Sequence, residues 1–120
     1  MNADPTAIGY LRADVSGPQL EWDKRRIRRL AKRLGYALLR IVVFAPQTDD
    51  MTARLVNVTR HLHVDAVIVP SVEHFDGAQA PVPLVQAADV ICGDSEHTEA
   101  RWFIPPLPIA KPENRAGVSK

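Results

Sequence analysis

The sequence predicts an α/β fold: a mostly parallel four-stranded sheet with helices on both faces, layered α/β/α. Three observations predict it. Short apolar runs alternate along the chain with segments of helical period. Leu38–Phe44 and Ala66–Val69 are almost unbroken apolar runs, as expected of strands covered on both faces. The 120 residues, 46% apolar and 24% charged, suffice for one core but not for two.

Each element has its own local reason. Thr6–Arg12 is short, apolar and rich in strand formers, so it reads as the first strand. Asp14–Pro18 reads as loop, because Ser16, Gly17 and Pro18 are turn residues. A helix then runs to about Leu34, with Leu20, Ile27, Leu30, Ala31 and Leu34 on one face. Gly35 is placed to end it, since glycine accepts the left-handed conformation of a helix end. Leu38–Phe44 is the second strand and Ala45–Asp50 a loop. Asp49 or Asp50 is expected to cap a second helix carrying Leu55, Val58, Thr59 and Leu62 at helical spacing. Ala66–Val69 is the third strand. Residues 71–87 read as irregular or briefly helical, because Pro81 and Pro83 interrupt any long helix. Asp89–Cys92 is the fourth strand, after which Asp94 or Ser95 is expected to cap a last short helix ending near Trp102.

The division expected is one domain over 1–104 and a proline-rich tail over 105–120, where Pro105, Pro106, Pro108 and Pro112 crowd together. No apolar run has the length of a membrane span, and Met1–Thr6 does not read as a signal peptide, so a cytoplasmic protein is expected. Cys92 is the single cysteine, which excludes an intramolecular disulfide and a cysteine-based zinc site. Within Val90-Ile91-Cys92 it reads as a small buried hydrophobe.

The net charge of +1 hides an asymmetry. Residues 1–40 hold nine basic and four acidic residues, and residues 41–120 hold six and ten. The excess comes from the first helix, where Lys24, Arg25, Arg26, Arg28, Arg29, Lys32 and Arg33 occur with no acid between Lys24 and Arg40. Read as one basic face, Lys24, Arg25, Arg28, Arg29, Lys32 and Arg33 form a candidate nucleic-acid contact, although charge runs are usually solvated faces. Trp22 lies one turn before Arg25 and Arg26, within reach of a cation–π contact; packing on the sheet edge or against a partner is the other expectation.

In open parallel sheets ligands sit beyond the carboxyl ends of the strands. The residues expected there are Arg12, Asp14 and Ser16 after the first strand, then Asp49 and Asp50 after the second. Ser71, Glu73 and His74 follow the third, and Asp94 and Ser95 the fourth.

These residues carry a resemblance. Ile8-Gly9-Tyr10-Leu11-Arg12 resembles the opening strand of serine recombinase (resolvase/invertase) catalytic domains, which reads Tyr-x-Arg-Val-Ser. Ile27, Ala31, Gly35 and Tyr36 are similar to that family's Leu-x3-Ala-x3-Gly-aromatic helix pattern. Val67 to Gly77 is similar to its strand followed by Leu-Asp-Arg-Leu-Gly-Arg. The resemblance covers roughly residues 7–92 and makes the expected three-layer fold resolvase-like.

The resemblance also implies lost chemistry. The family attacks a DNA phosphate with a serine and stabilises the developing charge with arginines. Here Tyr10 and Arg12 stand in register, but the nucleophile position falls on Asp14. Glu73 matches the family's aspartate, while His74, Gly77 and Met51 fall where arginines stand. An aspartate against a phosphate, with one arginine left, opposes the reaction. Ser16 as a shifted nucleophile fails for the same reason. The implied reading is a degenerate former active site of Tyr10, Arg12, Asp14, Ser16, Glu73 and His74, in a chain that stops before the family's dimer helix and DNA-binding domain.

The sequence offers two candidate metal sites. His61-Leu62-His63-Val64-Asp65 copies a metallohydrolase pattern but ends a helix instead of following a strand. Asp14, Asp49, Asp50, Glu73 and Asp94 could converge on Mg2+, although loop acids also serve as helix caps. No cofactor or metal is expected. Trp102, Phe103, Ile104, Leu107 and Ile109 form an apolar stretch that can fold back on the sheet or bind a second copy or a partner protein. The expected function is a non-catalytic interaction or regulatory module. The alternatives are a nucleic-acid-binding accessory protein using helix 24–33, with DNA as its partner, and a small metal-dependent phosphohydrolase using the edge acids.

Overall fold

The computed structural model describes residues 4–93 and the backbone of His97–Glu99. Strands β1 (Thr6–Arg12), β2 (Ala37–Phe44), β3 (Ala66–Val69), β4 (Asp89–Cys92) and β5 (His97–Glu99) form one sheet in the order β2-β1-β3-β4-β5. The first four pair in parallel. The fifth, β5, is an antiparallel strand beside β4. The fold is thus the expected α/β/α arrangement with one strand added. The helix expected to run to Trp102 is replaced over His97–Glu99 by that strand, and Asp94, Ser95, Trp102, Phe103, Ile104 and the 105–120 tail lie outside the described residues.

Alternating side chains on the strands feed two cores. On one face Ala7, Leu11, Ile68 and Ile91 pack under α2 (Leu20–Leu34) through Ile27, Leu30 and Ala31. On the other, Ile8, Tyr10, Val67, Val69, Val90 and Cys92 pack under α3 (Met51–Leu62) and α4 (Val82–Val85). Cys92 is buried as expected. Each fully buried Ile, Leu or Val contributes about 1.5–3 kcal/mol of burial. Gly9 sets how closely α2 can approach: a Cβ there would stand 2.8 Å from Ile27 Cγ2. Gly35, at φ 86°, ends α2 as the sequence predicts.

Three local expectations are corrected. Residues Ala13–Ser16 form a helical turn, α1, and Gly17–Gln19 a 3-10 turn, where a loop was expected. A proline early in a helical turn costs nothing, because its missing N–H has no partner there. At α3, Asp50 occupies the N-cap position in the left-handed conformation and its side chain caps nothing. Instead Arg54 Nε donates to the Asp49 carbonyl at 2.8 Å.

The third correction concerns β2, which is the edge of the sheet and is only partly covered on each face. Leu39 and Val43 are exposed. Leu38 and Ile41 lean on the α2 core, while Val42 and Phe44 lean on the other. Ala7 pairs with Leu38 and Ile8 with Arg40, so Leu39 bulges out of the ladder unpaired.

Candidate functional site

β1 ends at the carboxyl edge of the sheet, and its last residues meet the turn Val72–His74 that follows β3. His74 is the centre of this meeting. The Arg12 backbone N–H donates to His74 Nδ1 at 2.9 Å, and the Tyr10 hydroxyl donates to the His74 carbonyl at 2.9 Å. The Tyr10 ring stacks on Phe75, centroids 5.5 Å apart, and meets Phe44 edge-on at 5.7 Å. Burial pushes the Tyr10 hydroxyl up to about 12, so it acts as a donor and not as a base. Burial pushes the His74 imidazole down, in keeping with an Nδ1 lone pair that accepts a hydrogen bond.

The guanidinium of Arg12 lies across two acids. Its Nη2 is 2.8 Å and its Nε 3.2 Å from the two Asp14 carboxylate oxygens, a bidentate fork. Its Nη1 is 3.2 Å from Asp76 Oδ1. The hydrogen bond from Arg12 holds the Asp14 carboxyl below its ordinary value, and Asp14 in turn holds Arg12 above its own. Two carboxylates more than balance the single positive charge.

Ser16 has a different partner. It is buried, and its Oγ donates to Asp23 Oδ2 at 2.7 Å. The second oxygen of Asp23 lies 3.6 Å from Arg26 Nη1. The hydroxyl is therefore committed to a carboxylate inside the protein.

Of the residues expected in a former active site, Tyr10, Arg12, Asp14 and His74 come together. Ser16 is bonded to Asp23 instead, and Glu73 is exposed. The arginine at the end of β1 is engaged by Asp14 and Asp76. Among the described residues no group of three or more His, Cys, Asp or Glu is placed to hold a metal ion. His61 and His63 are exposed, and Asp65 Oδ2 accepts from the Thr6 N–H at 2.8 Å.

The basic residues of α2 lie on the side of the helix away from the buried Asp23, Ile27, Leu30 and Ala31, and its two margins border different hollows. Arg26, Arg29 and Arg33 flank a hollow at the ends of β3 and β4, whereas Arg28 and Lys32 flank a groove beside the start of β2. Trp22 is half-exposed and lies under Arg29, with 5.9 Å from guanidinium carbon to ring centre, instead of under Arg25 or Arg26. Lys24 pairs with Glu21 at 3.2 Å.

Sequence reasoning left Asp76, Asp23 and Arg26 out of the candidate set. Asp23 had a signal: it falls on the apolar face of α2, where a carboxylate needs a buried partner. Asp76 had none, because its role depends on how the turn after β3 folds beside β1.

No helix of the described residues is long and apolar enough to cross a membrane. No protein-family model matches the chain, and no curated protein matches it.

Proposed function

We propose that the chain is a non-catalytic interaction or regulatory module on a resolvase-like fold, its recombinase activity lost. The observation that supports this reading is the closure of Arg12 between Asp14 and Asp76. Transition-state stabilisation of phosphoryl transfer needs positive charge free to meet the developing negative charge. Here the strand-end arginine is neutralised by its own neighbours. Ser16, the nearest serine in sequence, is bonded to Asp23. The test is a strand-cleavage assay on supercoiled DNA. The expected result is no nicking and no covalent protein–DNA adduct. An adduct formed by the unaltered chain overturns the reading.

A second reading, a nucleic-acid-binding accessory protein, is favoured by one observation. Arg25, Arg28, Arg29 and Lys32 are exposed and make no salt bridge among the described residues. Such charges gain affinity by releasing counterions from a nucleic-acid backbone. Gel shifts at low salt are then expected to show binding that weakens with added salt and with Arg25→Glu and Arg29→Glu. Absence of binding at low salt removes this reading.

A further inference from the structure

The side of α2 turned away from the sheet carries an aromatic ring as well as charges. Trp22, Arg25, Arg29 and Lys32 follow one another at spacings of three, four and three residues, so they form one stripe along the helix. Ile27, which is buried, stands on the opposite side. At the rise of an α-helix the stripe is about 15 Å long.

Trp22 is the one exposed aromatic residue among the described residues. Tyr10 and Phe75 are buried, and Tyr36 and Phe44 are partly covered. Trp22 is 49% exposed, so its indole forgoes much of the burial that a core position supplies. It is set among cations. Arg29 lies over its ring, 5.9 Å from guanidinium carbon to ring centre, which orients the indole and puts a second flat, delocalised group beside it. Arg25, Arg29 and Lys32 are exposed and make no salt bridge among the described residues. The two acids beside Trp22 in sequence are engaged: Glu21 with Lys24 at 3.2 Å, and Asp23 with Ser16 at 2.7 Å and Arg26 at 3.6 Å.

A duplex and a single strand meet such a surface differently. Both offer phosphates to the cations and release counterions on binding. Only the single strand offers base faces, because in a duplex each face is covered by the next base pair. Exposed aromatic rings and guanidinium planes are the groups on which unstacked bases lie.

We propose that this stripe of α2 binds single-stranded nucleic acid, with a base stacked on Trp22 and the adjoining phosphates on Arg25, Arg29 and Lys32. The proposal rests on the nucleic-acid reading of α2 and adds to it the strandedness of the partner. Stacking and phosphate contacts are common to DNA and RNA strands, so both are expected to bind.

The experiment titrates the full chain at low salt into three end-labelled probes, followed by anisotropy: oligothymidylate, the same strand annealed to oligodeoxyadenylate, and oligouridylate. The single strands are expected to bind more tightly than the duplex. Trp22→Ala should weaken single-strand binding about tenfold, the loss of one base–aromatic stack, and leave duplex binding unchanged. It should also leave the salt dependence as it was, since no charge is removed. Trp22→Phe should retain most of the affinity. Val82→Ala, at a position equally exposed on α4, should change nothing. A second measurement reads the contact directly: a bound single strand should quench the tryptophan fluorescence of the unaltered chain. That quenching should disappear in Trp22→Phe, which still contains Trp102. Binding of one single strand and not the other identifies the natural source and supports the proposal. Equal affinity for duplex and single strand, equal loss of both in Trp22→Ala, or quenching that persists in Trp22→Phe overturns the proposal and leaves the nucleic-acid reading standing. No binding of any probe at low salt overturns both.

Discussion

The backbone N–H of Arg12 donates to Nδ1 of His74 across 2.9 Å, joining the end of β1 to the turn after β3. This bond requires the imidazole to keep an unprotonated Nδ1, and it is made by a buried side chain. Replacing His74 by Ala leaves the N–H without its partner and is expected to cost about 1–3 kcal/mol in urea unfolding. An unchanged midpoint contradicts this.

The same contact predicts a pH dependence. Burial holds the His74 pKa below the ordinary 6.5, so the unfolded chain takes up a proton before the folded one does. Its contribution is fully present above 6.5 and is lost as the pH falls from 6.5 through the folded value. Melting temperatures measured downwards from pH 7.5 should therefore fall more steeply for the unaltered chain than for His74→Gln. Parallel curves would show that His74 does not titrate as described.

Asp14 gives a local readout of the Arg12 fork. The carboxyl carbon resonance of Asp14 is expected to titrate below the ordinary 3.8. Arg12→Gln should move the midpoint back towards 3.8, because the leading cause of the shift is the hydrogen bond from Arg12. If the midpoint stays in place after the substitution, the fork does not persist in solution.

Ser16 and Asp23 should behave as a unit. Ser16→Ala removes the donor to a buried carboxylate oxygen and is expected to destabilise by about 1–3 kcal/mol. Adding Asp23→Asn should cost less than it does alone, with a coupling of about 0.5–3 kcal/mol in a double-mutant cycle. Strict additivity would mean that the hydroxyl and carboxylate do not interact.

Gly9→Ala tests the seating of α2. The new methyl would stand 2.8 Å from Ile27 Cγ2, in the core, and 3.1 Å from Ile41 Cγ1, which packs against it. Overpacking of this kind costs about 1–3 kcal/mol. Thermal unfolding should show it as a lowered midpoint, and a neutral substitution would mean that α2 can shift outwards freely.

The strands and long helices were legible because period and apolar runs are local properties. Thr6–Arg12, Ala66–Val69 and Asp89–Cys92 appear at the residues expected, and Gly35 ends its helix. The position of β2 was not legible. An apolar run such as Leu38–Phe44 looks the same at an edge as in the middle, and the strand order is decided by which neighbours each crossover finds. The same limit applied to the candidate site. Arg12 and Asp14 are two residues apart and their pairing could be anticipated, but Asp76 is 64 residues from Arg12 and arrives only through the fold.

The bulge at Leu39 has a consequence for the molecule in a crowded solution. An apolar edge strand is a template on which further chains can stack. A strand arriving in step with Arg40–Phe44 falls out of step at Leu39, where one residue has no counterpart in the ladder. Growth from this side is interrupted after a few residues, below the six or seven that a steric zipper uses. The misfit at one leucine is thus a guard against fibre formation, and restoring a regular ladder by deleting Leu39 should make the protein more prone to aggregate.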